Sequence, residues 1–409
     1  MTRPRLAFAA SAVAAGLFAS AACSGPAGTG GAGELTVWVM GDSSARFQQL
    51  VEPFSARTGI EVDTVAIPWD SVDQKFTTAV ASGNGPDVLQ VGLSKVPAFA
   101  ASGALLTLDD RTLRDHPGLA AHHFLDGVAA AGGAPVSVPW VGDTRVLFYR
   151  SDILAAYGLT RPPGTWDELR AYAKVLAGRG VGQYGYHIPQ WDSALPVIMT
   201  WAQGGGIVDD TGRIDFDTPE FHKAVDIYTG LYADRSVPAD ADFDQIQGFV
   251  SGATPMLVSG PYLAGAVAAA APRLNGTWSV ALIPGAAAHT SLLAGSNLAV
   301  WRSSDNTDGA LRLLDYLSEP RTQLTWYRLD GQLPVTKVAL DDPALTSDPL
   351  VSMYVRQLRD ARPLPPVPNW DGETGKVLLD ALNSIVLTGA DRDTALRGLY
   401  AATGGTSVE

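Results

Sequence analysis

Several short stretches of the 409-residue chain set an indole close to a carboxylate, among them Trp69-Asp70, Trp140-Val-Gly-Asp143-Thr-Arg145 and Trp191-Asp192. Trp38, followed by Gly41, Asp42 and Ser43, makes another. An indole face stacks on the apolar C–H face of a pyranose, while carboxylates, amides and arginines fork onto vicinal hydroxyls. The same residue pair also cages an organic cation such as a polyamine. Two opposed acids among Asp42, Asp87, Asp143 and Asp192 would instead suit glycoside hydrolysis. Hydrolysis finds no further support, because the chain has no Gly-x-Ser-x-Gly, no Cys–His arrangement and no metal motif.

Composition removes other classes. The formal charge is −13, which argues against holding a phosphate backbone. A phosphate-bearing ligand would also want more basic loops than these stretches offer. There is one cysteine, Cys23, so no intrachain disulfide and no cysteine-built metal site can form. The six histidines are scattered and no His-Glu-x-x-His occurs, so neither a metal nor a cofactor is expected. Apolar residues make up 46% and charged ones 17%, enough for a large core.

The N-terminus reads as an export signal. Arg3 and Arg5 precede an apolar, Ala-rich run from Leu6 to Ala22, too short for a stable span. Ser20-Ala21-Ala22 before Cys23 resembles the bacterial lipoprotein lipobox, which implies a signal peptide over 1–22 and a lipidated Cys23. Ser20 stands where that motif usually carries Leu, so ordinary signal-peptidase cleavage is the alternative. Residues 24–33 contain nothing that builds a core and suit a flexible tether.

The elements that must position the candidate residues follow from periodicity. Residues 35–39, 60–67 and 87–91 read as strands, with one helix from the Ser43/Ser44 cap to the stop at Gly59 and another over 70–81, a parallel α/β alternation. Further strands are expected at 136–140, 146–149, 253–258, 279–283 and 297–301. Helices are expected near 151–157, 166–178 and 218–233, then at 307–318, 320–330, 348–360, 373–388 and 392–402. Thr165 and Glu168 make a capping box. Trp166, Trp278 and Trp301 sit at element ends and are expected to pack, and Asp87 is expected to be structural. About 375 residues without a linker exceed one ordinary core, so two interwoven lobes with a cleft are expected.

The residues that carry a family resemblance are Leu35-Thr-Val-Trp-Val-Met-Gly-Asp42, Phe54-Ser-Ala-Arg-Thr-Gly-Ile60, Gly83-Asn-Gly-Pro-Asp-Val88, Gly103-Ala-Leu-Leu-Thr-Leu-Asp109, Val138-Pro-Trp140 through Leu147-Phe-Tyr-Arg150, and Pro163-Gly-Thr-Trp-Asp-Glu-Leu169. Later in the chain come Gly295-Ser-Asn-Leu-Ala-Val300, Leu314-Asp-Tyr-Leu-Ser-Glu-Pro320, Gly331-Gln-Leu-Pro-Val335 and Arg362-Pro through Trp370. In that order and spacing the chain resembles the solute-binding proteins of carbohydrate ABC importers, the group that includes maltose-binding protein.

The resemblance implies a two-lobed periplasmic-binding-protein fold of type II, with α/β lobes joined by a multi-strand hinge. Crossings are expected near 141–143, 293–295 and 331–333, giving lobe one as 34–141 plus 295–331 and lobe two as 142–294 plus 332–409. It also implies a non-enzymatic, monomeric protein on the outer face of the cell membrane that passes a sugar to permease subunits. The ligand residues it implies are Trp38, Asp42, Ser43, Trp69, Gln90, Asp143, Arg145, Trp191, Asp192 and Tyr262, with Gly295, Ser296, Asn297, Arg362 and Trp370. Asp42 is equally read as a helix cap, and Asp143 as half of an internal ion pair with Arg145. The number of aromatic walls suggests a di- or oligosaccharide; the rival ligands are a polyamine or a glycerol phosphoester.

Overall fold

The computed structural model describes residues 33–127, 135–240, 242–367 and 369–408. The signal peptide, Cys23, most of the tether and Pro368 therefore lie outside the described residues. Nine strands are described: β1 (Glu34–Met40), β2 (Glu61–Ile67), β3 (Val88–Gly92), β4 (Val138–Thr144), β5 (Val146–Tyr149), β6 (Met256–Ser259), β7 (Ser279–Ala281), β8 (Ser291–Val300) and β9 (Ala361–Arg362).

They form two sheets. The first runs β2-β1-β3-β8-β4, with β9 added beside β8, and the second runs β6-β5-β7. β1 pairs in parallel with β2 and β3, as the βαβαβ alternation demands, while β8 runs antiparallel to both β3 and β4. The expectation of an all-parallel first lobe thus holds only for its first three strands.

Both sheets are buried on both faces, which is why their strands are apolar runs more than alternations. On one face of the first sheet, Val37, Val39, Val62 and Val88 pack against Phe47, Val51 and Phe54 of the helix Ser44–Thr58. On the other face, Met40, Ile67, Leu89 and Val91 meet Phe76 and Phe99. In the second sheet Val146, Phe148 and Leu257 join the first core, whereas Leu147, Met256 and Val258 face a separate core built from Trp166, Leu195, Tyr228 and Leu378. One hydrophobic core therefore runs beneath both sheets.

Three segments of chain converge where the sheets meet. Gly142 on β4 is paired with Gly295 on β8, and its N–H donates to the carbonyl of Leu333 at 2.9 Å. Gly295 has φ +125°, and a Cβ there would lie 2.0 Å from the carbonyl oxygen of Val141. β4 and β8 each run unbroken through this point, further than the expected strands, which stopped at 140 and began at 297.

Five helices after residue 306 match their expected ranges within about two residues: Thr307–Ser318, Pro320–Asp330, Pro349–Arg359, Gly375–Thr388 and Arg392–Thr403; the single-turn helices Lys337–Leu340 and Pro343–Thr346 were not expected. The helix Ala194–Ala202 was not foreseen: every residue in it is buried, so it lacks the polar face that marks a helix in sequence. Thr165 caps its helix by accepting the N–H of Glu168 at 3.2 Å. Glu168 reaches one residue further back than the capping box requires, accepting the N–H of Gly164 at 2.7 Å and holding Arg161. Trp166 and Trp301 are buried, Trp278 stacks on Phe148 with ring centroids 5.7 Å apart, and Asp87 accepts the N–H of Thr36 at 2.8 Å. All four serve the packing roles expected of them.

Two stability outcomes follow. Gly295→Ala introduces both a steric clash and left-handed strain, so the urea midpoint should fall by the equivalent of about 2–3 kcal/mol; an unchanged midpoint would show that the close approach to Val141 costs nothing. His187, buried and stacked on Phe243 at 5.6 Å, has its pKa lowered by desolvation from 6.5 to about 4, with Asp244 opposing weakly. The unfolded imidazole protonates first, so the contribution is complete above pH 6.5 and is lost as pH falls towards 4. Between pH 7 and 4.5 the protein should lose about 2 kcal/mol more stability than His187→Gln. Parallel losses in urea titrations of the two proteins would remove His187 as the cause.

Candidate functional site

The ends of the parallel strands create the first wall of the site. β1 ends at Met40 and turns at Gly41, whose N–H donates to the carbonyl of Ile67 at 2.8 Å. Immediately after β2 the chain places Trp69, 55% exposed, with its ring edge against Gly41 and Gly92. A Cβ at Gly41 would lie 3.3 Å from the Trp69 Nε1, close enough to press on the indole, whereas one at Gly92 would make ordinary contact at 3.5 Å. Leu93, Ser94 and Pro97 follow β3 and extend this wall.

The opposite wall comes from chain beyond the crossings. Trp191, 64% exposed, leads into Asp192, Ser193 and the buried helix Ala194–Ala202. Trp370 opens a wide turn, Trp370–Thr374, that runs into the helix Gly375–Thr388. The Trp370 Nε1–H donates to Ser193 Oγ at 3.0 Å, a contact that Gly375 permits, since a Cβ there would lie 2.7 Å from that oxygen. Residues 292–295 of β8 form the floor, and Pro363 to Pro366 form one side. The cavity so enclosed is about 400 Å³, within the ordinary range for a small-molecule site.

Arg145 is the one cation among its described lining residues. Its Nη1 lies 3.4 Å from Asp192 Oδ2, and Asp192 Oδ1 accepts the N–H of Ala194 at 3.1 Å. Burial disfavours the guanidinium charge, but Asp192, Asp143 and Tyr262 outweigh it and hold its pKa above the ordinary value. Asp143 is different. Burial pushes its carboxyl above the usual range against the opposing pull of Arg145 and the Thr144 N–H, and its Oδ1 has no hydrogen-bond partner among the described residues. It stands beside Gly260, where an added Cβ would come within 3.2 Å of it. The alternative reading of Asp143, an ion pair with Arg145, is not what forms: among the described residues Arg145 pairs with Asp192.

Of the candidate residues, Trp69, Arg145, Trp191, Asp192, Gly295 and Trp370 line the cavity together. Asp143 and Tyr262 flank Arg145 without lining it, and the Tyr262 hydroxyl accepts from Gln245 at 2.6 Å.

The remaining candidates lie elsewhere. Trp38 is on the sheet face under the helix Val72–Ser82, with Lys75 Nζ 4.8 Å above its ring, because alternation along β1 turns it away from the cleft end. Asp42, 97% exposed, is paired with Arg46 at 3.4 Å and caps nothing, and the buried Ser43 accepts from the same Arg46 at 3.2 Å. Gln90 accepts the Met40 N–H at 3.0 Å and donates to Ser296 at 2.7 Å, so each satisfies the other inside the sheet. Asn297 donates to Ser137 at 2.9 Å, and Arg362 is an exposed residue of β9.

Sequence reasoning missed Ser193, Asp371, Pro97 and residues 292–294. Ser193 and Asp371 directly follow Trp191-Asp192 and Trp370, and that adjacency was their only signal.

Residues 39–324 match the family described as bacterial extracellular solute-binding protein. The structure of the sugar-binding protein MalE from Xanthomonas citri superposes with a TM-score of 0.83 at 25% identity, covering 91% of this chain and 96% of that one. The diacetylchitobiose binding protein DasA of Streptomyces coelicolor is 29% identical over 317 residues, 75% of this chain and 74% of its own length. The maltotriose-binding protein of Pyrococcus abyssi is 23% identical over 364 residues, 85% and 77% respectively. The two-lobed fold is that of these binding proteins, which bind substrates for ABC transporters and are not enzymes. With its family pattern spanning most of the described residues, the chain belongs to the bacterial extracellular solute-binding proteins.

Proposed function

We propose that the cleft captures a carbohydrate of two or more rings and that the protein delivers it to the permease of an ABC importer. The observation that carries this reading is the pair Trp69 and Trp191, each more than half exposed, which line one cavity together with Arg145 and Asp192. Large indoles left open to water on facing surfaces are suited to stacking on sugar rings. Relatives named for diacetylchitobiose and maltotriose support a ligand of this length. The line through Gly142, Gly295 and Leu333 is the natural hinge, with lobe one taken as 34–141 plus 295–331 and lobe two as 142–294 plus 332–409. Ligand contacts on both sides would then favour the closed state.

The rival chemistries fit less well. A polyamine needs free carboxylates, but Asp192 is held by Arg145, leaving Asp371 as the acid free of a cation among the described lining residues. Hydrolysis needs two opposed acids, and neither Asp42, exposed beside Arg46, nor Asp87, which accepts the Thr36 N–H, is among the described lining residues.

Purified protein should show a thermal shift with at least one di- or oligosaccharide and none with spermidine or glycerophosphodiesters. Saturating ligand at 100 times Kd adds about 2.7 kcal/mol. Trp69→Ala and Trp191→Ala should each weaken sugar binding by about tenfold or more, with unfolding midpoints within about 0.5 kcal/mol of the parent. A spermidine shift with silence across sugars would replace the carbohydrate reading.

The lipid anchor proposed at Cys23 has its own test. The relative named as an uncharacterized lipoprotein of Streptomyces antibioticus gives it support at 27% identity. In cells the protein should partition into the detergent phase and Cys23→Ser into the aqueous phase; equal aqueous partitioning of both would assign ordinary secretion.

A further inference from the structure

We propose that Trp370 serves ligand capture as a positioning residue and not as a stacking wall: its indole N–H fixes the Ser193 hydroxyl as an acceptor on one side and leaves that hydroxyl's own hydrogen for an oxygen of the ligand. The inference rests on the carbohydrate reading above and deepens it, by assigning the sugar a specific donor and naming the residue that holds it.

Trp370 belongs to the cavity lining but is only 2% exposed, whereas Trp69 and Trp191 are each more than half exposed. It shares the second core with Val367, Leu378 and Leu382, so neither of its faces is open to a sugar ring. Its polar edge is committed as well, since Nε1–H donates to Ser193 Oγ at 3.0 Å. An indole nitrogen can only donate, so the serine oxygen must accept in this pair. Ser193 lies in the lining directly after Asp192, and its O–H has no acceptor among the described residues. A hydroxyl that already accepts one hydrogen bond donates the next one more strongly.

The local sequence builds this contact. Asn369 Oδ1 accepts the Gly372 N–H at 3.1 Å and its Nδ2 donates to Glu373 Oε1 at 3.3 Å, which holds the wide turn Trp370–Thr374. Gly375 then begins the helix Gly375–Thr388 directly over the bond. A Cβ there would stand 2.8 Å from Trp370 Nε1 and 2.7 Å from Ser193 Oγ. Gly375 has an ordinary helical φ of −66°, so the glycine answers to this close approach and not to a backbone angle. On the other side, Ser193 stands between Trp191-Asp192 and the buried helix Ala194–Ala202. One hydrogen bond therefore ties the loop that carries Trp191 to the helix Gly375–Thr388.

Calorimetry on the purified protein with maltose, maltotriose and N,N′-diacetylchitobiose tests this. For the sugar that binds tightest, Ser193→Ala and Trp370→Phe should each weaken binding by about fivefold, and the double variant by no more than either. Ser193→Thr, which keeps the hydroxyl, should stay within about twofold of the parent. Gly375→Ala, which keeps both partners but crowds the bond, should lose affinity as Ser193→Ala does. In the ligand-free protein, the Trp370 indole proton, identified by its absence from Trp370→Phe, should lose protection from exchange in Ser193→Ala. Losses that add to about 25-fold in the double variant would make the two residues independent contacts and overturn the inference. An unchanged Kd in Ser193→Ala would overturn it too, and in both cases the sugar still binds and the carbohydrate reading stands. An indole proton equally protected in Ser193→Ala would overturn the inference without any ligand. Failure of all three sugars to bind the parent protein would overturn both.

Discussion

Everything in this molecule hangs on the backbone approach of β8 to β4 at Gly295. A side chain there would overlap the carbonyl of Val141, and the φ of +125° is one that L residues rarely adopt. Because the position is glycine, β8 passes straight from the floor of the cleft into the centre of the first sheet, pairing with β3 and β4 on its two sides. Gly142 opposite it then reaches Leu333, and three segments of chain lie within one hydrogen-bonded line. The strand that lines the cavity at residues 292–295 is thus the same one that pairs with β3 and β4 in the first sheet.

The second constraint is electrostatic. A guanidinium buried beneath a largely apolar cleft is tolerable only with close counter-charge, and Arg145 has Asp192 in contact and Asp143 nearby. The two acids answer burial differently. Asp192 is stabilised by the cation and by a backbone N–H, whereas Asp143 keeps a carboxylate oxygen without a hydrogen bond and a raised pKa. The unmet oxygen sits on β4 just past the crossing, so the residue is held there by its strand and not by its own interactions. Removing Asp192 would leave Arg145 buried with its direct partner gone, which makes Asp192 structural as well as cavity-lining.

Much of this was legible in the chain. The apolar runs of β1, β2 and β3, their intervening helices and the C-terminal helices announced themselves by period, because each has one buried and one wet face or stands between glycines. The Trp-Asp adjacencies pointed to Trp69, Trp191 and Asp192, all of which line the cavity. The failures have a common cause. Trp38 lies within the strand that ends at the cleft and Asp42 in the turn after it, but which face a strand side chain takes depends on register, and a one-residue step reverses it. Gln90, Ser296 and Asn297 looked like free polar groups at a strand end, and sequence cannot show that Gln90 and Ser296 bond to each other and that Asn297 reaches Ser137. The helix Ala194–Ala202 hid for the opposite reason, having no polar face to give it a period.

The exposure of Trp69 and Trp191 gives the fold its reason to respond to a ligand. Side chains of this size are ordinarily among the most buried on average, and eight other tryptophans in the chain include the fully covered Trp140, Trp166 and Trp326. Two indoles left more than half open on opposing walls represent apolar surface that folding alone does not cover. A ring stacked between them covers both at once, and the gain is larger when the walls approach than when either binds alone. On the binding reading, that difference is the free energy available to bias the two halves about the Gly142–Gly295 line. The rigid proline segment at 363–366 serves the same end, since a wall that gives up little conformational entropy on contact leaves more of the stacking energy for the change in shape.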